Sequence, residues 1–451
     1  MIKLHHLFSS FLVILVLPLF AQQDLSLSQA ITKGLANNYQ IQIAEKSIEQ
    51  ARIQDDWAVA GRYPVINFNV SSNNSYRNTN NPASFLIRQD AITTLFTPGL
   101  DLNWTIFNGH RVKLTKQQLS EQVKFNEANL QLAVEGSVQQ IILTYYAALI
   151  QAEQLKVLDE VLAVSRERIA YQKIRQDFGQ AGTFELLQSQ DAYLNDSISY
   201  MNQVNAYDNA IRDLKLAMGE DDLSSAYRLT DILIDDAPDY EIETLKQRML
   251  ANNRNLQLLF VNRELANVST KLQESTLKPT LSLRSGLTYD VNYTTGTQTF
   301  RSFAPGQPPS SDDIPRVAAR TLTGFANLTG TYTLFDGGTR RRNIEAAKVN
   351  EMMTQLDIQD LKRQLNAQLE NTYATYNTQK SLVKVADQLV DNARQNLGIA
   401  EERFRGGLIN SFDYRVIQLS FINASQAKLN AVFNLKTTET ALTQLIGGLT
   451  R

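Results

Sequence analysis

Thr321-Leu322-Thr323-Gly324-Phe325-Ala326-Asn327-Leu328-Thr329-Gly330-Thr331-Tyr332-Thr333-Leu334-Phe335 runs directly into Asp336-Gly337-Gly338-Thr339-Arg340. From Leu322 to Leu334 the even positions are apolar or small, and most odd positions carry a hydroxyl or amide. A period of two describes a strand with one oily and one wet face, here Leu322 to Phe335. The following sixty or so residues read as helix, so the strand feeds a very long helix. The same joint occurs earlier, at Leu100 to Phe107 followed by Asn108-Gly109-His110-Arg111. Adding 228 to Trp104, Ile106 and Phe107 gives Tyr332, Leu334 and Phe335, so the chain is a tandem repeat built on this joint.

The 451 residues hold only 20 Gly and 10 Pro, which favours long uninterrupted elements. Forty-four basic against 46 acidic residues leave a net charge of −2, so no global field draws in nucleic acid. Cysteine is absent, which removes disulfides, thiolate metal sites and cysteine nucleophiles. Of three histidines, His5 and His6 lie in the leader. No catalytic residues, metal site or cofactor are expected from this inventory, and the chain does not read as an enzyme. Residues 1–21 combine Lys3, the apolar run Phe11 to Phe20 and Ala21, which describes a secretory signal peptide. No later stretch has eighteen apolar residues in a row, so any membrane contact must come from strands.

Ser26-Leu27-Ser28-Gln29 has capping-box spacing and opens a helix expected to run to about Gly61, before Pro64. Ile66, Phe68 and Val70 then alternate with Asn67, Asn69 and Ser71, and Ser72 to Asn81 reads as a loop tip. The return strand ends at Phe107, giving a hairpin over about 65–107. A long helix follows from about Arg111 to Gln176. Its Val134, Val138, Ile141, Tyr145, Ala148, Ala152 and Leu155 form a heptad seam. Gly179 to Thr183 reverses the chain, and a second helix returns to Gly219. Residues 22–219 thus make one repeat and 220–238 a linker with an acidic start at Glu220-Asp221-Asp222. Residues 239–451 make the second repeat, with a hairpin over about 280–335. Leu35-Ala36-Asn37-Asn38 recurs as Leu250-Ala251-Asn252-Asn253, an offset of 215, while the offset after the second hairpin is 228. The extra 13 residues are assigned to a loop tip between Thr294 and Pro315. Lys380 stands where the first seam has Ala152, so the second long helix is expected to be wetter.

Four strands with a lipid-compatible face cannot close a barrel, and open edges in hydrocarbon leave backbone groups unpaired. The chain must pool strands with copies of itself. Three copies give twelve strands, while helices of roughly 100 Å must lie outside the bilayer.

With its doubled Pro-to-strand entries (Pro64, Pro279), joints IFNGHR (106–111) and LFDGGTR (334–340), and the turn Gly407-Leu408-Ile409-Asn410-Ser411-Phe412-Asp413, the chain resembles the outer-membrane efflux protein family, the TolC-like exit ducts. The resemblance covers nearly everything after Ala21. It implies a mainly α fold with a small β part, forming a homotrimer. Four strands per chain would share a 12-stranded transmembrane barrel, and the helical hairpins would form an α-barrel in the periplasm. The implied location is the Gram-negative outer membrane, in contact with its lipid. The implied partners are a periplasmic membrane-fusion adaptor and an inner-membrane pump of RND, ABC or MFS type.

By the same resemblance, Asp413 occupies a carboxylate position at the closed periplasmic aperture, where three copies would make an acidic ring. The family's duct prototype has a second Asp where this chain has Val416, and a Tyr and an Arg where it has Phe404 and Ile409. An apolar plug of Phe404, Ile409 and Phe412 is the expected replacement, and a helix N-terminal carboxylate is the plainer reading of Asp413. Gly179, Gly182, Thr183, Gly406, Gly407 and Leu408 are candidates to receive the adaptor, although reversing the chain needs glycine in any case. Register favours Gly179 over Gly182 as the counterpart of Gly407, and the following Thr183 favours Gly182. Trp104, Phe107, Tyr332 and Phe335 fit an aromatic belt or, more simply, sheet packing. Tyr145 and Tyr373 are read as core of the helical wall.

Three functions compete. The first is an exit duct of a tripartite efflux system for small molecules, with a duct for type I protein secretion as its variant. A periplasmic coiled-coil scaffold without a pore would leave the alternating strands unexplained, and a diffusion porin would leave the long helices without use.

Overall fold

A computed structural model describes residues 23–224, 227–233 and 237–449, and the leader read at 1–21 lies outside them. In chain order the elements are β1 (Gln23–Leu25), α1 (Leu27–Asn37), α2 (Tyr39–Gln54), β2 (Val65–Asn80), β3 (Leu86–Asn108), α3 (Arg111–Asp177) and α4 (Thr183–Ala217). They continue as β4 (Tyr227–Leu229), α5 (Ile242–Asn252), α6 (Arg254–Ser275), β5 (Thr280–Phe300), β6 (Ser310–Thr331), α7 (Thr339–Arg405) and α8 (Ser411–Leu445). Among the described residues no helix is long and apolar enough to cross a membrane.

The duplication is visible in element lengths. Helices α3 and α7 have 67 residues each, α4 and α8 have 35, and α1 and α5 have 11. The single helix expected from Ser26 to Gly61 is instead two. Ser26 does form its capping box with Gln29, but α1 ends at Asn38, whose backbone turns extended (ψ 118°). The Asn38 side chain then accepts from the Gln40 N–H at 2.8 Å, and Asn253 does the same for Leu256 at 3.1 Å in the second copy. A short side chain that can cap a new helix offers the backbone an alternative to continuing the old one.

The chain divides into two compact units. The first comprises the described residues of 23–45, 129–257 and 361–449. Its core gathers Leu25, Ala30, Ile141, Tyr145, Leu149, Leu214, Met218 and Tyr227, each fully buried aliphatic side chain being worth roughly 1.5–3 kcal/mol. The Tyr145 hydroxyl donates to the Leu25 carbonyl at 3.0 Å, and β1 pairs in parallel with β4. In the part of α7 that belongs to this unit the buried positions are Leu365, Leu369, Tyr376, Val383, Ala386, Val390, Ala393, Ala400 and Phe404. These keep a 3.5-residue period without a break. The wetter seam expected from Lys380 is therefore not built: Lys380 stands beside the stripe and pairs with Asp239 at 2.6 Å. Tyr145 is fully buried, but its counterpart Tyr373 is only half-buried, donating to the Tyr240 carbonyl at 2.9 Å, and Tyr376 takes the core position.

The second unit, residues 46–128 and 258–360, holds a four-stranded antiparallel sheet in the order β2-β3-β5-β6. Its strands outrun the sequence reading at the polar end. Ser72 to Asn80 and Arg88 to Phe96 pair as a ladder rather than forming a loop, and only residues 301–309 separate β5 from β6. Main-chain pairing carries these polar stretches once a strand pair has been started, whatever the side-chain alternation. At the other end β6 stops at Thr331, short of the expected Phe335, and Tyr332, Leu334 and Phe335 are exposed.

Candidate functional site

The sheet register sorts side chains onto two faces. Phe68 lies opposite Leu100, which lies opposite Leu287, which lies opposite Gly324. The same face carries Ile66, Val70, Leu102, Leu283, Tyr289, Leu322 and Leu328, a continuous apolar surface across all four strands. The opposite face is wet. There Asp101 accepts from Arg284 at 3.0 Å and from Asn69 at 3.3 Å, and Thr97 donates to Asp290 at 2.6 Å. One sheet thus suits lipid on one side and water on the other.

Both strand-to-helix joints use the same backbone. Gly109 and His110 have φ of 68° and 71°, and Gly337 and Gly338 have 68° and 84°. His110 is the one non-glycine residue among those described with positive φ. Each joint is held by the residue before it: Asn108 accepts from the Val112 N–H, and Asp336 accepts from the N–H groups of Gly338 and Arg340 and pairs with the Arg340 side chain at 2.7 Å. Of the four aromatics assigned to a belt, Trp104 and Tyr332 are partly to largely exposed and Phe335 is almost fully so. Trp104 donates its indole N–H to the Arg62 carbonyl at 2.9 Å, and Phe107 packs edge-on against His110.

The two reversing turns superimpose in number. Gly179 and Gly407 both have positive φ (69° and 72°), while Gly182 and Asn410 both stand at the N-cap of the returning helix. The ambiguity between Gly179 and Gly182 therefore resolves to two separate equivalences. Thr183, Gly406 and Leu408 are exposed beside them, Leu408 strongly so. The sequence reading passed over Phe178 and Phe184, which flank the first turn and are more than two-thirds exposed. Large aromatics bracketing a glycine turn were the signal available.

Asp413 sits in the first turn of α8 with its side chain exposed, and its own N–H is capped by Asn410 at 2.8 Å. Phe404 is not available for a plug. It is 4 % exposed and packs against Tyr171 and Tyr414, with Ile409 half-buried at the same cluster. Its place on the α7 heptad stripe explains this. Phe412 is the exposed member of the expected trio.

Above the turns lies a buried polar network that periodicity did not reveal. Asp196 of α4 pairs with Arg415 of α8 at 2.7 Å and accepts from Ser165 of α3 at 2.5 Å. Gln418 bridges Ser165 and Arg415 at 3.3 and 2.8 Å, and Ser189 meets Ser411 at 3.2 Å. Nearby, the buried Arg168 guanidinium has no hydrogen-bond partner among the described residues and lies over the Tyr414 ring at 5.6 Å. Burial, then the charge of Arg415, pulls its pKa down. Charged residues at helical spacing ordinarily read as a solvated face, so nothing in the sequence set these apart.

Comparison with known proteins now adds to the geometry. The profile of a family described as "Outer membrane efflux protein" matches residues 30–220 and 245–448. No curated protein matches the sequence. Among solved structures, CusC is similar with a TM-score of 0.74 at 15% identity, covering 94% of this chain and 92% of that one. The CmeC outer membrane channel of Campylobacter jejuni gives 0.72 at 17%, covering 94% and 85%. VceC of Vibrio cholerae gives 0.71 at 15%, covering 94% and 96%. At such identities these likenesses establish the fold. The profile covers both copies of the repeat, and with the two-faced sheet and the duplicated helical hairpins it identifies the chain as a member of the outer membrane efflux protein family, an efflux channel of the Gram-negative outer membrane.

Proposed function

We propose that three copies of the chain close a 12-stranded barrel and a periplasmic α-helical tunnel, and that this duct is the passive exit of a tripartite efflux system for small molecules. In this reading residues 22–219 and 239–451 each contribute two strands and one helical hairpin, joined by 220–238. The carrying observation is the sheet in the second unit: one continuous apolar face, one ion-paired wet face, and bare edges at β2 and β6. Lipid tolerates such a sheet only in a closed ring. The turns with Gly179, Gly182, Thr183, Gly406, Gly407 and Leu408 receive the adaptor, which couples the duct to an inner-membrane pump. Trp104, Phe107, Tyr332 and Phe335 lie at the membrane boundary. Three Asp413 side chains ring the aperture and favour cations, with Phe412 and Leu408 as the exposed apolar groups beside them.

Planar-bilayer recording of the purified trimer tests the reading. Discrete conductance steps with cation preference are expected, and Asp413→Ala should abolish that preference. Absence of conductance from a trimeric preparation removes the duct, and unchanged selectivity in the variant removes the acidic ring alone.

A further inference from the structure

Trp104 pairs with Leu283 and Phe107 with Leu281, so the apolar face continues along β3 and β5 to the edge of the first joint. Phe107 then packs edge-on against His110, with ring centroids 5.4 Å apart. Beyond His110 the surface changes character. Gly109 presses on the end of α6 so closely that a Cβ atom there would stand 2.5 Å from the Ser275 carbonyl oxygen and 2.7 Å from the Lys278 Cβ. This contact sets the start of α3 beside the end of α6. Between them opens a cavity of about 450 Å³, with His110, Lys113, Gln117, Lys271, Glu274 and Lys278 in its lining. An exposed apolar strip thus leads into a cationic recess built within one chain.

The charge of the recess is not cancelled by neighbouring acids. Among the described residues Lys113, Lys271 and Lys278 form no ion pair. Glu274, the one carboxylate of the lining, is engaged by Lys348 at 3.1 Å. Glu351 lies in the field of Lys271, and it accepts from Asn267 and Thr270, both at 3.0 Å. The first turn of α3 holds no acidic residue, so the positive end of that helix adds to the lysines. Nor is the cluster a by-product of the duplicated fold. The repeat offsets place Gly338 at the counterpart of His110, Asp56 at that of Lys271 and Tyr63 at that of Lys278, and only Lys113 keeps a cation, as Arg341. The stretch before Pro64 does without these lysines, so closing a helix before a strand does not account for them.

We infer that this recess binds the phosphodiester of an anionic phospholipid, whose acyl chains lie along Trp104, Phe107, Leu281 and Leu283 on the apolar face. The inference rests on the membrane boundary proposed above and adds to it a headgroup site of defined residues, one per chain. Amphiphile and protein match part by part: the oily strip takes the chains, His110 marks the boundary, and the three lysines take the phosphate. Lysines close to a membrane surface hold lipids of net negative charge, whereas a choline headgroup brings its own cation to the phosphate and leaves the lysines less to do. The volume is that of an ordinary ligand site and leaves room for a hydrated headgroup.

Native mass spectrometry of the purified protein, mixed in detergent with phosphatidylglycerol or with phosphatidylcholine, tests the site. Phosphatidylglycerol should be retained at one per chain, and phosphatidylcholine at least about tenfold more weakly. Lys271→Gln with Lys278→Gln should weaken phosphatidylglycerol binding at least about tenfold. Arg341→Gln with Arg342→Gln removes the same charge from the second joint and should weaken it less than about twofold. Equal losses in the two double variants overturn the recess in favour of a diffuse cationic belt. Equal retention of the two lipids overturns recognition by charge. Displacement of phosphatidylglycerol by an equal concentration of sodium phosphate overturns the lipid as the ligand and leaves free phosphate in its place. A conducting trimer that retains no phosphatidylglycerol overturns the site and leaves the duct. A preparation that never conducts removes the duct, and retention by the separate chains, each of which holds a whole recess, then decides the site.

Discussion

Gly447 lies so close to Asn252 that a Cβ atom on it would stand 2.4 Å from the Asn252 carbonyl oxygen. Gly219 stands in the same relation to Asn37, at 2.8 Å. Each glycine ends a returning helix with positive φ (64° and 71°) and abuts the residue at which a short helix ends. Alanine at either site meets both the left-handed backbone and the neighbouring carbonyl. A loss of about 2–4 kcal/mol is expected for Gly447→Ala and for Gly219→Ala, measured by thermal unfolding in detergent. A change within about 0.5 kcal/mol would mean that these contacts do not set the helix break.

The Asp196–Arg415 pair joins a buried carboxylate to a partly buried guanidinium, with side chains 5 % and 19 % exposed. Arg415→Met strands the carboxylate and should cost about 3–5 kcal/mol. Adding Asp196→Leu should return much of that loss, because an apolar pair replaces an unpaired charge. A double-mutant cycle on unfolding midpoints measures the coupling, and simple additivity would show that the two groups act independently.

Glu135 is buried in α3 with one carboxylate oxygen unpartnered, and burial raises its pKa more than Arg254 lowers it. A raised carboxyl pKa in the folded state makes the charged form a penalty. That penalty is absent in acid, grows as pH rises past the unfolded value near 4.5, and is complete above the folded value. Glu135→Gln should therefore stabilise the protein at neutral pH and lose its advantage below about pH 4. Unfolding curves across pH check the sign, and a pH-independent difference would place the effect in packing instead.

Tyr145→Phe preserves the ring in the core but removes the phenol donor from the Leu25 carbonyl, which keeps only the Thr230 N–H at 3.1 Å. A cost of about 1–2 kcal/mol is expected from the lost hydrogen bond in a fully buried setting. The comparable change at the half-buried Tyr373 should cost less, since water can replace the phenol there.

The sequence made the joints, the long helices, the turns and the apolar faces legible, because each rests on a local rule. Alternation marks a strand face, an Asn or Asp before two left-handed residues marks a joint, and glycine marks a reversal. What it did not show depends on distant partners. The break at Asn38 answers to Gly219, far along the chain. Ser72 to Asn80 is a strand because β3 runs beside it. Phe404 was misplaced at the aperture, although its spacing from Ala393 and Ala400 already put it on the buried stripe. Asp196 and Arg415 sit at helical positions that solvent usually occupies, and only tertiary packing distinguishes them.

Every residue of β2 is exposed, along a strand of 16 residues at the rim of its sheet. Such a rim is a growing end: it will template the addition of any compatible strand, including one from an aggregate. Freshly synthesised chains consequently face a race between polymerisation and cyclisation, decided by crowding and by the angle each added copy contributes. Only the cyclised product stops growing, so this protein's yield in any refolding experiment should fall steeply as chain concentration rises.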